Sequence, residues 1–376
     1  MILIFISSGL AMGYAVLILT YRSMWQRGSL SGKSTVQSLD ERVSVIVPCR
    51  NEAKNIENCI RALLAQDYPK HLLEIVIVDD HSTDTTVEIA KTFSGPSLRV
   101  IQLSGNMPAD QGKKAAISRG VSDASGSLIL NTDADCIPPV SWVSTMTACK
   151  KEKDAAFVSG PVMFQSSNKP LDIFQTLDFL SLQGITAASV SAGFHGMSNG
   201  ANMGFTRNAF NAVEGFKGID HIASGDDMLL MQKIQQQFPG HIAYCRSEAA
   251  IVTTKPEPTL RTFLCQRIRW ASKATHYHDK RILPVLLLVY LHNFSLLALL
   301  TAGVFGDMPA LVAGGVLILF KTVVELSFMW PVAGFFGIRR LLAFFPVAQP
   351  FHIMYTVISG LFGQFGSYQW KGRTVH

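Results

Sequence analysis

The chain opens on an uncharged apolar run, Met1 to Tyr21, about as long as a bilayer span, and Arg22, Arg27 and Lys33 follow it. A secretory signal would carry basic residues ahead of its apolar core and a small-x-small cleavage site behind it. Here the charges come after, which favours a retained anchor with its N-terminus outside. Residues Ser23 to Glu41 are polar and serine-rich. The first division is therefore an anchor at 1–21 and a linker at 22–41.

From Arg42 the pattern becomes short apolar runs alternating with helical ones. Val43 to Val47 predicts a strand, followed by a turn at Pro48 and a helix over about 53–66. Leu73 to Val78 predicts a second strand ending at Asp79-Asp80, and Ser82, Thr83 and Asp84 can cap the next helix. Leu98 to Leu103 predicts a third strand, Lys113 to Ala124 a helix, and Ser127 to Leu130 a buried strand ending at Asp133-Ala134-Asp135. This alternation predicts an α/β domain over 42–258, with a parallel sheet covered by helices on both faces. Such sheets bind ligands at the carboxyl ends of their strands, and two acidic clusters fall there.

Residues 259–281 hold a predicted amphipathic helix, Thr259 to Ala274, beside the membrane. Three apolar segments occupy 282–370. Ile282 to Phe305 and about Ala310 to Phe336 are expected spans, joined by Gly306-Asp307-Met308-Pro309. Leu341 to Phe365 contains Pro346, Gln349, Pro350 and His352, and reads as kinked, re-entrant or interfacial. Residues 371–376 form a tail. Lys321 and Glu325 sit one turn apart inside the second span, a costly place for charge. They either neutralise each other or meet a lipid head group or an acceptor path.

Composition agrees with a soluble domain joined to a membrane region: 48% of residues are hydrophobic, 16% are charged, and mean hydropathy is +0.25. The net charge of +6 comes from basic residues beside the apolar segments, without interleaved aromatics. An anionic lipid surface is the expected partner, and nucleic acid is not. Six cysteines form no CxxC pair and have no histidine at zinc-like spacing, so free thiols in a cytosolic compartment are expected.

Asp133 and Asp135 can close two carboxylates onto one hard cation, Mn²⁺ or Mg²⁺, which in turn binds diphosphate oxygens. Read alone, the tripeptide is equally a solvated turn. Asp79-Asp80 can accept hydrogen bonds from a ribose or base edge, or simply begin a turn. Asp226-Asp227 precedes a helical run and can start a helix or take a proton from an acceptor hydroxyl. Gln266 and Arg269 share a helix face. Read alone, Arg269 meets lipid phosphate and Trp270 anchors an interface.

Order and spacing sharpen this reading. Val43-Ser44-Val45-Ile46-Val47-Pro48-Cys49-Arg50-Asn51-Glu52, Val78-Asp79-Asp80-His81-Ser82-Thr83-Asp84, Gly112-Lys113, Asp133-Ala134-Asp135, Gly225-Asp226-Asp227 and Gln266 to Trp270 follow one another. The set resembles family 2 glycosyltransferases, which have the nucleotide-sugar-binding GT-A fold. The resemblance covers about Arg42 to Lys273, and the flanking spans resemble cellulose, hyaluronan and ceramide glucosyltransferase-like enzymes.

The resemblance implies an inverting enzyme using a nucleotide-diphosphate sugar, with UDP preferred. Pro48, Arg50, Glu52, Asp79, Asp80, Lys113 and Asp133 would hold the nucleotide sugar, and Asp133 with Asp135 the metal. Asp227, with Asp226 as the other candidate, would be the base. Gln266 and Arg269 would contact the diphosphate and Trp270 would floor the acceptor pocket. Asn199 and Asn202 lie in a loop, Ser198 to Met203, that resembles one near the acceptor. The family commonly has Gly where His81 stands and Glu where Asp226 stands. A lipid or lipid-linked acceptor is expected, because three or four spans are sparse for a polymer channel; the alternative is a processive polysaccharide synthase. A catalytically inactive scaffold or a transporter is a remote alternative. The expected location is an inner cell membrane of bacterial type, with the catalytic domain cytosolic.

Overall fold

In the computed structural model the N-terminal apolar run forms helix α1 (Ile2–Arg27). The first apolar run of the soluble part forms strand β1 (Val43–Cys49), buried at all seven positions. The structure describes residues 1–28, 40–105, 112–165, 167–220, 222, 225–273, 277, 279–365, 368–370 and 373–375. Most of the expected linker, Ala274, and Lys371, Gly372 and His376 of the tail lie outside the described residues.

The chain continues through α2 (Ile56–Leu64), β2 (Leu73–Asp79), α3 (Thr86–Lys91), β3 (Leu98–Gln102), α4 (Lys113–Asp123), β4 (Leu128–Asn131) and α5 (Trp142–Glu152). It then forms β5 (Phe157–Ser159), β6 (Val162–Phe164), the long α6 (Pro170–Ser191), β7 (Met203–Thr206), α7 (Arg207–Ala212) and α8 (Met228–Gln237). β8 (Ile242–Tyr244) and β9 (Val252–Thr254) complete the domain. β1 runs through Pro48, which sits one residue from the strand end, where a missing donor is tolerated.

Seven strands order as β3-β2-β1-β4-β7-β5-β8, with β6 and β9 paired separately. Strand periodicity divides β1 between two cores. Val43, Val45 and Val47 join Ile60 of α2 and Met146 of α5, while Ile46 joins Ile117 of α4 and Leu230 of α8. The first four strands are parallel, as expected, but β7 runs antiparallel to both β4 and β5. The expected parallel sheet therefore holds over β1 to β4, and β7 makes the whole a mixed one. β7 starts where β4 ends, with Met203 opposite Asn131. That antiparallel entry brings the loop before β7 to the end of β4 that carries Asp133.

α9 (Leu260–Ala271) begins at Thr259, whose hydroxyl accepts from the Thr262 N–H in a reciprocal cap. α10 (Ile282–Val304), α11 (Met308–Phe335) and α12 (Phe345–Phe365) follow. Among the described residues, four helical segments are long and apolar enough to cross a membrane: Ile2–Arg27, Ile282–Val304, Met308–Phe335 and Arg339–Gly363. Their outward faces expose Phe5, Val16, Leu287, Phe294, Val316 and Val347, an apolar surface suited to lipid.

The sheet domain grips this bundle at several places. Arg246 stacks on Trp25 with its guanidinium 3.7 Å from the ring centroid, and donates to the last-turn carbonyls of Trp25 (2.6 Å) and Gly28 (3.0 Å). α6 packs closely on α11 at Gly184, where a Cβ would fall 2.9 Å from Phe328 and Val332. α12 meets mid-α11 at Gln349, then turns its second half against α9, where a Cβ on Gly363 would lie 2.7 Å from that of Ala271. Phe345–Phe365, with both prolines, thus forms one continuous helix whose C-terminal half accompanies α9.

Candidate active site

Two turns at the ends of β1 and β2 build one wall. Asn51 and His81 both adopt left-handed backbone conformations (φ 53° and 57°). The Asn51 N–H donates to Ser82 Oγ (2.9 Å), and Asn51 Oδ1 accepts from the Thr83 N–H (2.8 Å), latching the turns together. Arg50 donates to the Asp80 carbonyl (2.7 Å), and its guanidinium lies 3.9 Å from the Asp80 carboxylate. Asp80 is 3% exposed but lines the cleft. Asp79 instead turns its carboxylate to the Ser82 N–H (3.2 Å), holding the turn behind the cleft wall. Pro48 and Glu52 line the cleft beside Arg50.

Lys113 starts α4 and reaches across to two acidic clusters. Its Nζ stands 2.6 Å from Asp133 Oδ1 and 2.9 Å from Asp226 Oδ2. Burial opposes its charge, but the two carboxylates outweigh burial and hold it above the ordinary lysine range. Burial likewise opposes ionisation of Asp226, and Lys113 with Lys273 outweighs it, so its carboxyl sits below the usual value. Gly200 makes room for this pairing. A Cβ there would fall 2.7 Å from Lys113 Nζ and 2.9 Å from Asp226 Oδ2.

Asp227 caps α8. Its Oδ1 accepts from the Met228 N–H (2.7 Å) and its Oδ2 from the Gly200 N–H (3.2 Å), with Lys273 Nζ 3.8 Å away. These contacts fix its orientation towards the cleft it lines. The ligand atoms of Asp133, Asp135 and Cys136 all lie within 4.8 Å of one another. Cys136 donates its thiol to Asp135 (3.5 Å), and burial with the two carboxylates pushes that thiol well above its ordinary range. What remains is an oxygen donor set of two aspartates, which fits a hard divalent cation.

The remaining expected residues divide. Asn199, Gln266, Arg269 and Trp270 line the same cleft, of about 1010 Å³. Asn202 does not line it: it is fully buried, accepts from Trp142 Nε1 (2.9 Å), and donates to the carbonyls of Pro161 and Ala250 (2.8 Å each). It pins the loop rather than facing a ligand. Sequence reasoning missed Lys273, which lies on the cleft beside Asp227. Its position one turn beyond Arg269 was the available signal. Lys255 and Glu257 were missed too, because they lie in a loop without helical periodicity. The cleft extends from Asp80 and Asp133 past Trp270 to Leu286 and Tyr290 of α10 and to Tyr355 and Ser359 of α12.

Comparisons with known proteins agree with this arrangement. The glycosyltransferase AglE of Haloferax volcanii is 36% identical over 126 residues, 34% of this chain and 41% of its own length. A poly-beta-1,6-N-acetyl-D-glucosamine synthase of Staphylococcus epidermidis is 28% identical over 249 residues, covering 65% of this chain and 57% of that protein. The chain spans about half the length of the curated relatives it matches. The fold matches that of the mannosyltransferase PcManGT from Pyrobaculum calidifontis, solved with GDP-Man and Mn²⁺. The TM-score is 0.61 at 22% identity, over 96% of this chain and 99% of that one. Residues 44–211 match the model of glycosyl transferase family 2, and residues 128–360 that of glycosyl transferase family group 2. With the GT-A sheet, the paired aspartates at its strand ends and these matches together, the chain belongs to the family 2 glycosyltransferases.

Proposed function

We propose that the protein is an inverting glycosyltransferase that moves a sugar from a UDP-sugar to a lipid or lipid-linked acceptor at the cytosolic membrane face. The observation that carries this reading is the continuity of the cleft, which holds carboxylates at one end and the apolar α10–α12 slot at the other. An acceptor with a hydrocarbon tail can reach the acidic centre through it without leaving the bilayer. In this reading residues 42–258 are the catalytic domain and 259–281 the interface helix. Residues 1–21 and 282–370 are the membrane part, with α12 interfacial, and the basic residues around Arg22, Arg281 and Arg339 stay on the cytosolic side.

Arg50, Asp80 and Lys113 hold the nucleotide, with Pro48 and Glu52 shaping its pocket. Asp133 and Asp135 hold Mn²⁺ or Mg²⁺, which when bound supplies positive charge against the leaving diphosphate. Asp227 takes the proton of the acceptor hydroxyl as its oxygen bonds to the anomeric carbon. The bond from that carbon to the nucleoside diphosphate breaks in the same displacement, inverting the centre. Arg269 faces the negative charge left on the diphosphate, and Trp270 floors the acceptor. Lys113 also keeps Asp226 occupied, which favours Asp227 as the base.

The test is nucleotide release from a panel of UDP- and GDP-sugars, using membranes with the wild-type protein or Asp227→Asn. Release from one donor that the variant loses supports the reading, and silence across the panel with added lipid extract counts against it. A processive synthase is the second reading, favoured by the match to the poly-N-acetylglucosamine synthase. A ladder of products in place of one sugar per acceptor would select it.

A further inference from the structure

Arg267 stands between the two signature residues Gln266 and Trp270 and touches both. Its guanidinium lies 4.3 Å from the Trp270 ring centroid and 4.6 Å from that of Phe263. Its Nη1 donates to Gln266 Oε1 (2.6 Å), while Nε and Nη2 donate to Asp178 Oδ2 (2.9 and 2.6 Å). The guanidinium is therefore held at each nitrogen and stacked on two rings. The side chains of Arg267 and Asp178 are 4% and 2% exposed. An ion pair this deep is costly unless its hydrogen bonds are complete, and here they are extended on both sides.

On one side, Asp178 Oδ1 accepts the Tyr355 hydroxyl of α12, and His352 Nε2 lies 3.8 Å away. On the other, Gln266 Nε2 donates to Glu257 Oε1 (3.0 Å). α6 also grips the Glu257 backbone, one turn before Asp178: Gln175 donates to its carbonyl and accepts from its N–H, both at 2.9 Å. A connected chain thus runs from Tyr355, on a membrane-side helix, through Asp178 and Arg267 to Gln266 and Glu257 on the cleft.

We propose that Arg267, held by Asp178 and Tyr355, is a positioning residue that sets Trp270 for the acceptor and ties its placement to α12. The inference rests on the reading of Trp270 as the acceptor floor. A lysine at 267 would keep the charge but lose the planar fork and the stacking. Phe179 packs near Trp270 on the domain side, with centroids 6.1 Å apart, and cannot replace the lost contact.

The experiment compares Arg267→Lys and Tyr355→Phe with the full-length wild type in lipid nanodiscs. The readouts are kcat and KM for donor and for acceptor, slow hydrolysis of the donor by water without acceptor, and Trp270 emission isolated by subtracting a Trp270→Phe spectrum. Arg267→Lys is expected to lower kcat/KM for the acceptor about 10- to 100-fold, as a displaced positioning group does. Gln266 keeps its bond to Glu257 (3.0 Å), so donor KM and donor hydrolysis should stay within about twofold, marking loss of acceptor placement alone. Trp270 emission should shift. Tyr355→Phe removes one hydrogen bond and should give the same pattern at smaller size, so it carries the test if Arg267→Lys does not fold. Donor and acceptor parameters falling in step, or an unchanged Trp270 emission in both variants, would overturn the proposal. A wild-type protein that turns over no donor would count against the proposed function, while Trp270 emission would still decide whether Arg267 positions the ring.

Discussion

The sheet domain and the helical bundle both bury charged residues, and they use them in opposite ways. At the strand ends, Asp80, Asp133, Asp226, Asp227 and Lys113 face one another across a cleft that stays open. In the bundle, Lys321 is sealed from solvent: it pairs with Glu325 (2.8 Å) and Gln349 (2.7 Å), while Gln349 and Tyr14 both donate to Glu325. The first set faces an open cleft of about 1010 Å³, whereas in the second the opposite charges pair directly with each other. Chemistry is therefore expected from the first set, and structural specificity from the second.

The largest effect should come from breaking the open set. Asp227→Asn keeps size and the α8 cap but removes the proposed base, and should lower transfer about 10²- to 10⁴-fold. Nucleotide binding, measured by calorimetry, should persist, because Asp80, Arg50 and Lys113 are untouched. A variant that kept most of its activity would move the base elsewhere in the cleft.

Breaking the closed set should act on stability instead. Lys321→Ala leaves Glu325 buried without its cation and should cost about 3–5 kcal/mol. The double change Lys321→Met with Glu325→Leu removes both charges and should recover much of that loss. Unfolding in detergent micelles, followed by circular dichroism, measures the difference. Equal losses in the single and double variants would mean that the pair does more than neutralise itself.

A smaller effect tests the close approach between the clusters. Gly200→Ala must push aside Lys113 Nζ or Asp226, an overpacking that costs about 1–3 kcal/mol. Lys113 is flexible at its tip, so the cost should appear as a raised donor KM rather than as lost fold. An unchanged donor KM would place Lys113 away from the nucleotide.

Much of this comparison was legible in the chain. Val43 to Val47 and Leu73 to Val78 read as strands because they are short and apolar, one ending at a proline turn and the other at Asp79-Asp80, and the site follows from those ends. Lys321 and Glu325 were legible as a pair because helical spacing puts them on one face. β7 was not legible: four residues, Met203–Thr206, are too few for periodicity, and strand direction leaves no local mark. Asn199 and Asn202 looked alike because which neighbour faces a ligand depends on where the loop enters β7. Arg267 hid for another reason, since its carboxylate partner Asp178 lies 89 positions away. Long-range pairing of that kind has no signal in a single sequence.

The smallest prediction concerns His81, which stands where the family commonly has glycine. Its φ of 57° lies in the region that favours glycine, although histidine tolerates it better than most residues. His81→Gly would relieve that strain and also free the unfolded chain, two opposed contributions of about 0.5–1 kcal/mol each. It would also remove the contact between His81 Nδ1 and Asp80 Oδ1 (3.1 Å). Arg50 still faces Asp80 from the other side, so the nucleotide wall should survive. A thermal midpoint within about 4 °C of wild type and a donor KM within about threefold are therefore expected. A donor KM that rose much further would make His81 part of the nucleotide site, and the departure from glycine at this turn would then be a feature of this chain's own donor recognition.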